Sequence, residues 1–363
     1  MFLALLFALI PVGTLAPQSP VARQAQVYVE AVRELNEKHA RSPGKESEAE
    51  LARKLPAAAA KSLDLLLAVK SDDGLVEALH AVSDAAADLD RVEDFARIRA
   101  RLAALEPARR ATLDTLLSRP RFVLRGADGV GEEFLGKFAE VLDGVLDAYD
   151  EVFGFEEWSK VPGKKLRVRV HWVEAITAPP HFAPEFPFHS EIDFPVVDVE
   201  RFASPTADGK FLFYGLCHEL GHVIAMWGDA KREADHHAWA HYAGVVIVEH
   251  LNAAKNPPQW LDDLKDARWR SLAKEREAAK GVAPSTKTRE GVMALLIALH
   301  DAAGPKAIGA ALNALDRDDR RLRVNRVRYY EFAALKDVLV GDAKDKAARR
   351  AIEQAFSGAL DAR

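Results

Sequence analysis

The pentapeptide His218-Glu219-Leu220-Gly221-His222 places two imidazoles and a carboxylate at a spacing suited to metal chemistry. It lies in the apolar run FLFYGLCHELGHVIAMW, which predicts a buried helix. In a helix, residues i and i+4 stand one above the other, so His218 and His222 offer two nitrogens to one point. Glu219 lies about 100° further round. From there a carboxylate reaches a metal-activated water without itself being a ligand, which is the position of a general base. A second helical run follows, opening on EADHHAWAHY, and six of the twelve histidines fall between His218 and His250. Folding alone gives no reason for that clustering. The metal expected is one Zn2+, and the residues that can complete its site are His237, Asp235, Glu233 and His236. His241 shares a face with His237 at i, i+4, which makes it a candidate either to support a ligand or to donate to the transition state. Three protein ligands leave a fourth position for water and bring its pKa toward about 7.

The elements that must position these residues are legible in outline. Residues 21–118 are rich in Ala, Leu, Glu, Asp and Arg with apolar positions recurring at three and four, and predict four or five amphipathic helices. The texture changes at Arg119-Pro120. Residues 119–255 then read as a metal-bearing core: a short strand in RFVLRG, a helix from Glu132 to Phe153, a period-two strand in LRVRVHWV, a proline-rich loop from Ala178 to Pro187, a strand in HSEIDFPVVDV and the motif helix. Residues 256–363 read as a helical region of their own, including Val327 to Leu339, joined in part by the solvated link DRDDRRLRVNR. The run VMALLIALH is apolar nearly all round, as a helix covered on both sides would be. The fold class expected is therefore predominantly helical α+β, with a small mixed sheet beside the motif helix.

Composition narrows the classes further. A chain of 363 residues with 49% apolar content buries a substantial core, and a net charge of −5 with interspersed acids and bases argues against a nucleic-acid partner. The single cysteine, Cys217, excludes an intramolecular disulfide and reads as a packing thiol. Residues 1–16, MFLALLFALIPVGTLA, are apolar, uncharged and short for a bilayer span, which needs about 20 residues. They predict an export signal, hence a periplasmic or secreted chain with no stable membrane span once mature; an uncleaved N-terminal anchor is the alternative.

From about Arg119 to Leu251 the order strand, helix, strand, proline-rich loop, strand, HELGH helix, second helix resembles the gluzincin branch of zinc metallopeptidases. This is the thermolysin-like and aminopeptidase-N-like group known as peptidase MA-like. The resemblance implies a bound zinc, a peptide or protein substrate, His218 and His222 as the first two ligands and Glu219 as the general base. The family's third ligand is a glutamate on the following helix, and the residue aligned with it here is His237. That departure leaves two functions open: a zinc peptidase with a three-histidine site, or a non-catalytic metal-binding protein of the same fold that acts in protein interaction.

Overall fold

The computed structural model describes residues 19–41, 47–127, 129–155, 164–172, 181–183, 191–196, 207–224, 226–227, 233–254, 271–317, 322–324 and 327–360. Residues 1–16, read above as an export signal, lie outside them. Among the described residues no single helix is long and apolar enough to cross a membrane.

The chain divides into two compact units, Met1–Ser118 and Arg119–Arg363. The described residues of the first form five α-helices: α1 (Pro20–Arg41), α2 (Glu48–Arg53), α3 (Ala57–Ala68), α4 (Leu75–Asp88) and α5 (Val92–Leu105), followed by a 3-10 turn and the short strand β1 (Thr115–Ser118). Its apolar periodicity is spent on one core that includes Tyr28, Leu63, Leu79, Val82 and Ile98. The buried Asp94 is not wasted there, because it accepts hydrogen bonds from the Tyr28 hydroxyl and the Arg91 guanidinium, both at 2.7 Å.

The second unit is the mixed one. Strands β2 (Phe122–Ala127), β3 (Leu166–Trp172) and β5 (Glu191–Val196) run parallel, and β4 (His181–Ala183) pairs antiparallel with β5 at the edge. Helix α6 (Glu132–Phe153) makes the crossover from β2 to β3. One face of this small sheet is apolar, with Val168, Val170, Ile192 and Phe194 buried. The other is charged: register places Arg169 between Arg125 and Asp193, and Arg167 beside Glu191. Burial there raises the Glu191 carboxyl to about 7, against the opposing pull of Arg125 and Arg169.

The proline-rich segment expected as loop throughout contains β4. Its three residues pair only as far as Asp193, so Pro195 lies beyond them and its missing N–H removes no β4 bond. A second correction concerns Val327–Leu339, expected as helix. Val327–Tyr330 instead form β8, which pairs antiparallel with β7 (Leu322–Val324) and parallel with β6 (Met226–Trp227). One β-branched and two aromatic residues in four suit a pleated strand, and the helix α12 (Phe332–Gly341) starts only after it.

Helices from residues 256–363, read above as a region of their own, lie in the same compact unit as the sheet and the motif helix. Helices α7 (Ala207–Ile224), α8 (Glu233–Ala253), α9 (Leu272–Ala278), α10 (Arg289–Ala303), α11 (Pro305–Arg317) and α13 (Lys346–Ala355) belong to the same unit as the sheet. Helix α10 packs against α8 on one side and α13 on another, which accounts for its nearly uniform apolar surface. The Tyr242 hydroxyl of α8 lies 2.9 Å from His300 Nδ1 of α10, and the Glu249 carboxylate accepts the Leu272 amide at 2.7 Å. Gly309 of α11 sits against the C-terminus of α6, where an added Cβ would come within 1.8 Å of the Phe153 carbonyl oxygen. Only glycine permits that approach.

Candidate metal centre

Two helices build the centre, and the sequence lets them approach closely. A Cβ on Gly221 of α7 would lie 2.8 Å from Ala240 Cα, and a Cβ on Gly244 of α8 would lie 3.2 Å from the His218 nitrogen. Each helix thus presents a glycine to the backbone of the other, and the side chains on either side of the seam are brought face to face. Two buried donors brace α7 around the motif: the Tyr149 hydroxyl donates to the Cys217 carbonyl at 2.6 Å, and Trp239 Nε1–H donates to the Gly221 carbonyl at 2.9 Å. Trp239 and Tyr242 also pack edge-on against Phe153, with ring centroids 5.8 and 6.3 Å apart. Their role is packing, and it anchors α8 to α6. Cys217 is fully buried, and burial pushes its thiol well above the usual thiol range, as befits an inert core residue.

Across this seam His218, His222 and His237 each offer one ligand atom, all within 4.8 Å of one another. The ring of His222 stands edge-on to both others, at 4.8 Å from each, while His218 and His237 lie nearly parallel at 5.8 Å. A tetrahedral zinc with nitrogen ligands at about 2.05 Å separates them by about 3.4 Å. The observed set therefore needs a contraction of up to about 1.4 Å, and three imidazoles are a suitable donor set for a borderline metal. The three residues differ in exposure: His222 is 4% exposed, His218 is half-buried and His237 is exposed. The centre is therefore open on the side of the first turns of α8. Glu219 is buried, 7% exposed, beside His218 and outside the set of three.

His241, expected either to support a ligand or to donate to the transition state, lies on α8 with both ring nitrogens partnered. Its Nδ1 is bonded to the Tyr214 hydroxyl, and its Nε2 lies 3.2 Å from the Glu275 carboxylate. Both ring nitrogens of His241 are thus engaged inside the protein. The side chains of Asp235, Glu233 and His236 lie outside the described residues, as do those of Tyr329 and Tyr330.

Two residues that matter here do not stand out in the sequence. Tyr214 precedes His218 by four residues, so helical spacing alone could find it. Glu275 carries no comparable signal, since it belongs to another helix and is 34 residues beyond His241. Its own helix is set by Ser271, whose hydroxyl caps the Lys274 amide at 3.4 Å.

The close approach at the seam has a measurable consequence. Gly221→Ala is expected to destabilise the protein by about 1–3 kcal/mol, the usual range for overpacking, because the methyl meets backbone rather than a movable side chain. Urea unfolding of the metal-free protein measures it, and a change below about 0.5 kcal/mol, the size of an inconsequential surface substitution, would show that the helices part without cost.

No family model, characterised protein or solved structure matches this chain.

Proposed function

We propose that the chain is a zinc-dependent hydrolase that cleaves peptide bonds. One observation carries the reading: His218, His222 and His237 bring their ligand atoms within 4.8 Å of one another beside a buried carboxylate that is not one of the three. A structural zinc site has no use for a carboxylate standing outside the ligand set, whereas hydrolysis needs it. The choice of peptide over other carbonyl substrates follows from the gluzincin resemblance of the strands and helices around the motif.

Zinc bound by the three imidazoles supplies Lewis-acid activation of water and of a substrate carbonyl. Glu219 takes the proton that the attacking water must lose and delivers it to the leaving amine, so that the C–N bond breaks with a neutral product. The burial of Glu219, 7% exposed, limits competition from bulk water for that proton. His237, the exposed ligand, marks the side from which substrate enters.

The test is metal analysis of the purified full-length protein together with incubation in a mixed peptide library. One zinc per chain is expected, with cleavage that chelation removes and zinc restores. Stoichiometric zinc without cleavage ends the peptidase reading; absence of zinc after loading ends the metal reading as well.

A further inference from the structure

Behind the His218 ring a line of polar groups crosses three helices. Tyr214 Oη lies 3.5 Å from His218 Nδ1, at the outer limit of a hydrogen bond, and is bonded on its other side to His241 Nδ1. His241 Nε2 in turn lies 3.2 Å from Glu275 Oε2. The middle of the line is buried: Tyr214 is 8% and His241 7% exposed. Buried polar groups persist where they are satisfied, and here they satisfy one another in series.

We infer that Tyr214, His241 and Glu275 are positioning residues that hold His218 in the tautomer and ring orientation required for metal binding. This rests on the metal reading of His218, His222 and His237. The roles along the line follow from counting protons. Since Nδ1 of His218 faces Tyr214, the nitrogen left for a metal is Nε2, which must then be unprotonated, so Nδ1 carries the hydrogen. The Tyr214 oxygen accepts that hydrogen and donates its own to His241 Nδ1. The His241 ring is thereby left with its hydrogen on Nε2, which it donates to the Glu275 carboxylate. In this direction every donor along the line meets an acceptor. Reversing it would put a hydrogen on the metal-facing nitrogen of His218. A carboxylate at the far end suits this direction, because it accepts the hydrogen that a neutral His241 then carries on Nε2.

The chain also gives α9 a place in the centre. Its Glu275 is 16% exposed and sits on a helix whose first amide is held by Glu249 of α8. The metal site is therefore supported from residues beyond the two helices that supply its ligands.

The experiment uses the full-length protein stripped of metal, with zinc affinity measured by competition against a chelator and the cobalt(II) absorption spectrum as a second readout. Tyr214→Phe keeps the ring and removes the oxygen; it is expected to weaken zinc binding about 10- to 100-fold, the range for loss of a ligand's hydrogen-bond partner, and to shift the cobalt bands. Glu275→Ala is expected to weaken it in the same direction, and Glu275→Gln, whose amide oxygen still accepts from His241, to restore most of the loss. Combining Tyr214→Phe with Glu275→Ala should cost little more than Tyr214→Phe alone, because Glu275 acts through the tyrosine. Should Tyr214→Phe fail to fold, the Glu275 pair carries the test by itself, since thermal unfolding of metal-free Glu275→Ala and Glu275→Gln separates stability from affinity. Zinc affinity of Tyr214→Phe and Glu275→Ala within twofold of wild type, or fully additive losses, overturns the inference while leaving the metal reading intact. A wild-type protein that takes up neither zinc nor cobalt overturns both.

Discussion

Glu219→Gln is expected to keep one zinc per chain and to lower kcat for a cleaved peptide by about 10²–10⁴-fold, the usual contribution of general acid–base catalysis. Glutamine has nearly the same shape, so packing around a residue only 7% exposed is preserved, and what disappears is the ability to accept a proton. The three histidines that gather across the α7–α8 seam do not include Glu219, so removing its charge leaves the donor set whole. Two measurements read the result: metal content by elemental analysis and kcat on a peptide selected from the library. Activity within about tenfold of wild type would remove Glu219 from the reaction, that being less than a general base contributes. Loss of zinc instead would make it a ligand, contrary to the geometry.

His237→Ala is expected to cost about 10²–10³-fold in zinc affinity. Structural zinc sites with four ligands bind with about 10–16 kcal/mol, so one ligand accounts for about 2.5–4 kcal/mol. The case for His237 is its placement: its ring centroid lies 4.8 Å from that of His222 and 5.8 Å from that of His218, on the helix packed directly against α7. Asp235→Ala is the matched comparison, and it should retain zinc. If Asp235→Ala loses the metal and His237→Ala retains it, the third ligand is the carboxylate and the centre is closer to the gluzincin pattern than the histidine geometry indicates. Chelator competition on the two variants, side by side with wild type, decides between them.

How far the residues disclose these features depends on the distance over which each is determined. Helix α6 over Glu132–Phe153 is legible because its apolar positions repeat with the helical period, and the strand at Leu166–Trp172 because its valines alternate with arginines. The short strands are not. Three residues at His181–Ala183 and four at Val327–Tyr330 carry too little pattern to outweigh prolines nearby or apolar neighbours downstream, and they become strands only because partner edges are present. The unity of residues 119–363 is also hidden. A run such as VMALLIALH announces that it is covered on two sides but not by what; the covering helices are α8 and α13.

For the centre itself, the sequence alone determined that His218 and His222 share a point and that Glu219 stands beside it, because a helix fixes the direction of residues four apart whatever surrounds it. The close approach at Gly221, where an added Cβ would lie 2.8 Å from Ala240 Cα, is set by the packing of α7 on α8. Only the tertiary structure decided that His237 joins the pair and that His241 turns away from it toward Tyr214 and Glu275. The two histidines are four residues apart on the same helix and chemically identical. What separates them is the set of neighbours each ring meets, and those neighbours come from other helices that the chain brings together only on folding.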